Sequence, residues 1–153
     1  MSLDRVKEYL KKYNMDDKII EVNSSTATVE LAARALNTEE DRIAKTLSFW
    51  INDKPILIVL SGNSKIDNKK YKSFFNTKAK MIDIQEVEKV IGHAVGGVCP
   101  FGINEGVDIY LDESLKKYDT VYPACGEANT AIEISINDLE RVVPYKEWIN
   151  VSK

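Results

Sequence analysis

The stretch KTLSFWINDKPILIVLSG, Lys45–Gly62, carries two runs rich in apolar, aromatic and β-branched residues around a polar Asn-Asp-Lys turn. Two such runs joined by a short polar break read as a β-hairpin. The density of ILIVL, Ile56–Leu60, predicts a strand buried on both faces. The sequence on either side supplies helices to cover such a sheet.

Toward the N-terminus, LDRVKEYLKKY places Val6, Leu10 and Tyr13 at three- and four-residue spacing, which predicts an amphipathic first helix. KIIEV follows as a short strand. SSTATVELAARALN offers Ser/Thr caps before Val29, Ala32, Ala33 and Leu36, with Asn37 closing a second helix. Thr38 with Asp41 imitates a capping box and predicts a third, short helix. Toward the C-terminus, DNKKYKSFF reads as a basic helix, KMID as a strand and IQEVEKVIG as a helix stopped by Gly92. VDIYLD, TVYPAC and TAIEIS are strand candidates, and INDLERVV is a final helix. With no linker-like stretch, the expected architecture is α/β of the α+β type: residues 1–153 as one domain, with one mixed central sheet flanked by helices.

The composition, 44% hydrophobic and 29% charged over 153 residues, is that of an ordinary globular chain. No apolar run is long enough to cross a bilayer and no basic-then-apolar leader opens the chain, so the expectation is a cytoplasmic protein without a membrane partner. Twenty-one basic against 24 acidic residues, a formal charge of -3, argue against gripping long DNA or RNA by phosphate neutralisation. A short contact with a nucleic-acid end stays open, and KKYKS, Lys69–Ser73, either contributes to it or is a solvated helical face.

GHAVGGVCPFG, Gly92–Gly102, holds four glycines, a proline, the only histidine and one of two cysteines. Glycines there permit φ > 0 and close approach of another molecule. Pro100 restricts the loop so that the amides of Gly96, Gly97 and Val98 can act as oriented donors to an oxygen. Composition alone also accommodates a tight connection between core elements. His93 has no second histidine or cysteine pair beside it, so no metal is expected. Cys99 and Cys125 lack CxxC spacing and read as reduced, and Cys99 reads as a small buried thiol rather than a nucleophile. Lys45, flanked by Ile43, Ala44 and Leu47, is a partly buried cation that either meets an anionic or carbonyl partner or snorkels along the core edge.

IAKTLSF, then AVGGVCPFG, then YPACGEANTAIEIS and a helix resemble, in this order, the YbaK/prolyl-tRNA synthetase-associated domain family. The resemblance implies that family's editing-domain fold and hydrolysis, in trans, of the ester joining a wrong amino acid to the 3′ end of tRNA, with no metal or organic cofactor. The mischarged acceptor end is then the partner, with an aminoacyl-tRNA synthetase as a second candidate. Lys45 matches the family's functional lysine and Gly96 to Pro100 its Gly-x-x-x-Pro loop, so Lys45, Gly96 and Gly97 are the expected catalytic groups. Thr46, Val98 and Pro100 are expected to contact substrate, as is Glu133; CGEANT, Cys125–Thr130, is either a second wall with Asn129 and Thr130 as polar contacts or a hairpin turn. Alternation along TAIEIS sets Ala131, Glu133 and Ser135 on one face. Ala131 stands where the branch acting on cysteinyl-tRNA of the proline type tends to carry an acid, so the amino acid removed stays open. A non-catalytic module binding aminoacyl-tRNA or a nucleotide in the same pocket is the alternative.

Overall fold

In the computed structural model, which describes residues 2–153, the chain begins with helix α1 (Ser2–Lys11), burying Val6 and Leu10, and the short strand β1 (Ile19–Glu21). Helix α2 (Val29–Leu36) starts where the Thr28 hydroxyl accepts from the Leu31 amide and stops at Asn37 in the left-handed conformation. The expected third helix is only a 3-10 turn at Glu40–Arg42 without a side-chain cap. Asp41 does not close a box with Thr38 there, because its carboxylate is drawn instead to the Asn63 amide and to Lys117 at 2.8 Å.

The hairpin forms as strands β2 (Ile43–Ile51) and β3 (Lys54–Ser61), paired antiparallel from Ala44↔Ser61 to Ile51↔Lys54. The turn therefore has two residues, Asn52 and Asp53, and Asn52 at φ 56° takes the left-handed conformation such turns need. Helix α3 (Asn68–Phe75) follows, capped by Asp67, and then α4 (Ile84–Ile91), ended by Gly92 at φ +107°. KMID makes a single bridge, Phe49↔Met81, rather than a strand.

The last third contains β4 (Asp108–Asp112), β5 (Thr120–Pro123), β6 (Thr130–Ile132), β7 (Ile134–Ser135), helix α5 (Ile136–Val142) and β8 (Glu147–Ile149). Six strands form a mixed sheet in the order β7-β5-β2-β3-β4-β8, and β1 pairs with β6 in a separate two-stranded sheet. The expected mixed central sheet is present, and the reading of TAIEIS as one strand is corrected: it breaks at exposed Glu133, β6 pairing with β1 outside that sheet and β7 with β5 within it. β8, a three-residue strand beyond the final helix, has no counterpart in the sequence reading.

β3 divides the core by its pleat. Leu57 and Val59 pack with α1, α4 and α5 through Val6, Leu10, Ile91 and Leu139. Ile56, Ile58 and Leu60 pack on the other face with Phe49, Tyr71 of α3, Ile149 and Val151. Both faces are buried, as ILIVL predicts. The fully buried Asp112 carboxylate accepts from the amides of Ser114 and Val151 and from the Ser152 hydroxyl at 2.6 Å, fastening the C-terminal segment beside β4.

Candidate functional site

A cavity of about 330 Å³ opens along one edge of β2. β5 covers that edge only at Ile43 and Ala44, and further along Ser48 O and Trp50 N bond to residues 80–82. Main-chain groups alternate sides along a strand, so the N–H and C=O of Thr46 point out at this edge, between the two paired segments. The Thr46 side chain lines the cavity too, and its Oγ1 is buried without a hydrogen-bond partner among the described residues.

Lys45 lines the cavity with its stem half-buried, and Nζ donates to Gly62 O at 3.1 Å and to Ser64 O. Burial lowers its pKa from the ordinary lysine value, Lys65 adds to the lowering and Asp41 opposes it. The clamp depends on a residue the sequence reading overlooked. A Cβ at Gly62 would lie 1.9 Å from Glu40 O, so only glycine lets this loop close against the 3-10 turn while its carbonyl holds the lysine. Two donated bonds leave the ammonium one proton for a ligand.

The glycine loop reaches the cavity at Val95, Gly96 and Val98. Gly96 adopts φ +92°, where a side chain is strained. Main-chain N–H groups of Gly96 and Val98 have no partner among the described residues. Gly97 differs from the expectation of three parallel donors: its N–H donates to Ala94 O at 2.9 Å, and its carbonyl accepts from Gly126 N at 3.0 Å. A Cβ on Gly97 would stand 2.3 Å from the Gly126 carbonyl carbon, so this glycine serves the contact between two loops. Pro100 is buried behind the loop, outside the cavity lining.

The second wall is mixed. Thr130 lines the cavity, but its hydroxyl accepts from the amides of Cys125 and Glu127 and donates to Glu127 O at 2.9 Å, ordering the turn. Asn129 is exposed, turns its amide to Val22 O, and does not line the cavity. Glu133 also lies outside the lining, against Thr120 at 3.1 Å and Arg42 at 3.5 Å, because the chain changes sheets there and the alternation that would have aimed it inward is lost. Thr26, Thr28 and Ser48 supply lining hydroxyls that sequence reasoning missed. The first two sit in the Ser/Thr run read only as helix caps, a role Thr28 does fill. Ala32, Ala44, Ala124 and Ala131 give the wall its small apolar character, and exposed Met81, Ile84 and Val95 stand around the cavity as well.

Among the described residues, no Asp, Glu, His or Cys lines this cavity. His93 is buried elsewhere, 2.6 Å from Phe101 O through Nε2, and burial lowers its pKa. Cys99 and Cys125 are free and buried; burial pushes the Cys99 thiol up to about 12 and Cys125 upward too. Neither is a thiolate near neutral pH. Among the described residues no three acidic, His or Cys side chains gather as a metal site, and no helix is long and apolar enough to cross a membrane.

These features can be set beside known proteins. "Uncharacterized protein YwhH" of Bacillus subtilis (strain 168) is 45% identical over 154 residues, covering 100% of this chain and 98% of that protein. A "Proline--tRNA ligase" of Macrococcus caseolyticus is 24% identical over 119 residues, and the match spans 76% of this chain but 21% of the ligase. A crystal structure described as "a putative trans-editing enzyme for prolyl tRNA synthetase" superimposes with a TM-score of 0.88 at 27% identity, covering 99% of this chain and 97% of that one. The sequence model of the aminoacyl-tRNA editing domain matches residues 23–142, a span that includes β2, the glycine loop and the second wall, and the chain belongs to that family.

Proposed function

We propose that this protein hydrolyses, in trans, the ester between a mischarged amino acid and the 3′ end of tRNA. The observation that carries the proposal is a clamped lysine ammonium together with two amides, of Gly96 and Val98, that have no partner among the described residues, all on residues lining a small cavity whose other side chains are apolar or carry hydroxyls. Ester hydrolysis builds negative charge on the carbonyl oxygen, and fixed donors in a poorly hydrated site stabilise that charge. The third Lys45 proton is available to this oxygen or to the terminal phosphate, and the carbonyls of Gly62 and Ser64 keep the ammonium from swinging away.

The substrate's α-ammonium needs an acceptor, and among the described residues no carboxylate lines the cavity. The outward-facing Thr46 carbonyl supplies one, with the hydroxyls of Thr26, Thr28 and Ser48 nearby in the lining. The alanine-rich wall receives the amino-acid side chain. Water adds to the ester carbon and gives up a proton; the tetrahedral adduct collapses with cleavage of the bond to the ribose oxygen, which takes up a proton. The products are a free amino acid and a tRNA with its terminal hydroxyl restored. No protein nucleophile is required, which agrees with the buried thiols and a histidine outside the cavity. The family match and the relation to a segment of proline–tRNA ligases support a tRNA substrate and an aminoacyl-tRNA synthetase as the enzyme whose errors are corrected, in the cytoplasm.

The test is turnover on a panel of tRNAs charged with near-cognate amino acids, the tRNA for proline first. Multiple-turnover release of at least one amino acid, lost in Lys45→Met, supports the proposal. Binding of charged tRNA without release would make the chain a non-catalytic module and overturn it.

A further inference from the structure

The segment from Lys65 to Lys80 carries six lysines and one aspartate in a chain whose formal charge is -3. The single acid, Asp67, is occupied as the cap of α3, accepting from the amides of Lys69 and Lys70. Lys65, Lys69, Lys72, Lys78 and Lys80 are exposed, and none makes an ion pair among the described residues. Lys70 is committed elsewhere, donating to Ser152 O at 2.8 Å. Lys69 and Lys72, three residues apart on α3, share one helix face. Unpaired like charges repel one another, so folding gains nothing from collecting them.

Both ends of this segment adjoin residues of the cavity lining. It leaves at Ser64, whose carbonyl holds Lys45, and Lys65 is close enough to lower the Lys45 pKa. It returns at Lys80, bonded through its carbonyl to Trp50 of β2, just before Met81 of the lining. A polyanion whose end entered the cavity would meet Lys65 and Lys80 first, with Lys69 and Lys72 of α3 further along the same segment.

We propose that the Lys65–Lys80 segment, with Lys69 and Lys72 of α3 foremost, is the docking surface for the phosphate backbone of an RNA duplex whose single-stranded 3′ end enters the cavity. The inference rests on the proposed function for which end of the RNA is bound. Contacts limited to one short segment reconcile an acidic protein with a nucleic-acid partner, since a few phosphates adjoining the end are enough to orient it.

The experiment uses the full chain and an uncharged acceptor-stem RNA hairpin ending in single-stranded CCA, with affinity measured by fluorescence anisotropy across a salt series. Lys69→Glu with Lys72→Glu is compared with wild type and with Lys11→Glu plus Lys12→Glu at the C-terminal end of α1, a control with the same change in net charge. The expected result is an affinity loss of about 10-fold or more in the α3 variant alone, with a salt slope shallower by about two phosphate contacts. Equal affinity in the α3 variant, or equal loss in the control, overturns the proposal. So does preferential binding of wild type to vesicles of phosphatidylcholine and phosphatidylglycerol in equal parts. The hairpin carries no amino acid, so failure to find deacylation would leave this measurement intact. Conversely, normal deacylation with an inert α3 variant would refute only the docking surface.

Discussion

Gly97→Ala isolates what the glycine loop does. The added Cβ would lie 2.3 Å from the carbonyl carbon of Gly126, 2.4 Å from Glu127 N and 2.5 Å from Gly126 O. All three are backbone atoms, so relief requires the two loops to separate by about 1 Å. That separation breaks the bond from Gly126 N to Gly97 O, now 3.0 Å, between two buried residues. Overpacking costs about 1–3 kcal/mol and an unmade buried hydrogen bond a similar amount, so about 3 kcal/mol is expected. At about 2–4 °C per kcal/mol for a chain of this size, the melting temperature should fall by about 6–12 °C. Deacylation by the folded fraction should fall too, by about 100-fold, because the Gly96 and Val98 amides move with the loop. Gly96→Ala is the companion: its Cβ would meet only the Cβ atoms of Ala27 and Ala128 at 3.2 Å, and the main penalty is the left-handed φ, about 1–2 kcal/mol. Circular-dichroism melting and single-turnover deacylation should therefore rank Gly97→Ala as the less stable of the two. A Gly97→Ala protein that melts within about 2 °C of wild type and hydrolyses normally would refute the loop-to-loop role assigned here.

Lys45→Met should lower kcat/KM on a mischarged tRNA by about 100-fold or more while shifting the melting temperature by only a few degrees, because the half-buried charge is held for a ligand at a desolvation cost; wild-type turnover would sink that role. Thr130→Val removes the acceptor for the Cys125 and Glu127 amides and should cost about 2–4 kcal/mol in urea unfolding, whereas Thr130→Ser should cost under about 1 kcal/mol. His93 has a folded-state pKa below 6.5, mainly because it is buried. Above that value it is neutral in both states. As pH falls through 6.5 toward the folded-state pKa, the unfolded chain binds the proton first, so stability is lost in that window. His93→Gln should flatten that part of the stability profile in pH-dependent urea melts; an unchanged acid slope would show that other groups set it.

Much of the local structure was legible in the sequence because its causes are local. Thr28 and Asn37 bracket α2, Gly92 ends α4 and Asn52 turns the hairpin, each through the conformation or hydrogen bond its own side chain favours. The run Ile56–Leu60 announced a doubly buried strand, and Lys45, Thr46, Gly96, Val98 and Thr130 do meet at one cavity. Tertiary structure decided what depends on partners remote in the chain. Whether TAIEIS was one strand or two was set by β1 and β5 competing for it, and the break at Glu133 turned that carboxylate away from the cavity. The free edge of β2 exists because β5 departs after Ala44, and Gly97 is glycine because Gly126 lies against it. Helix periods and caps act over a few neighbouring residues, whereas strand partners and backbone clearances are fixed by chain segments dozens of positions away, so a residue's type records the constraint without naming what imposes it.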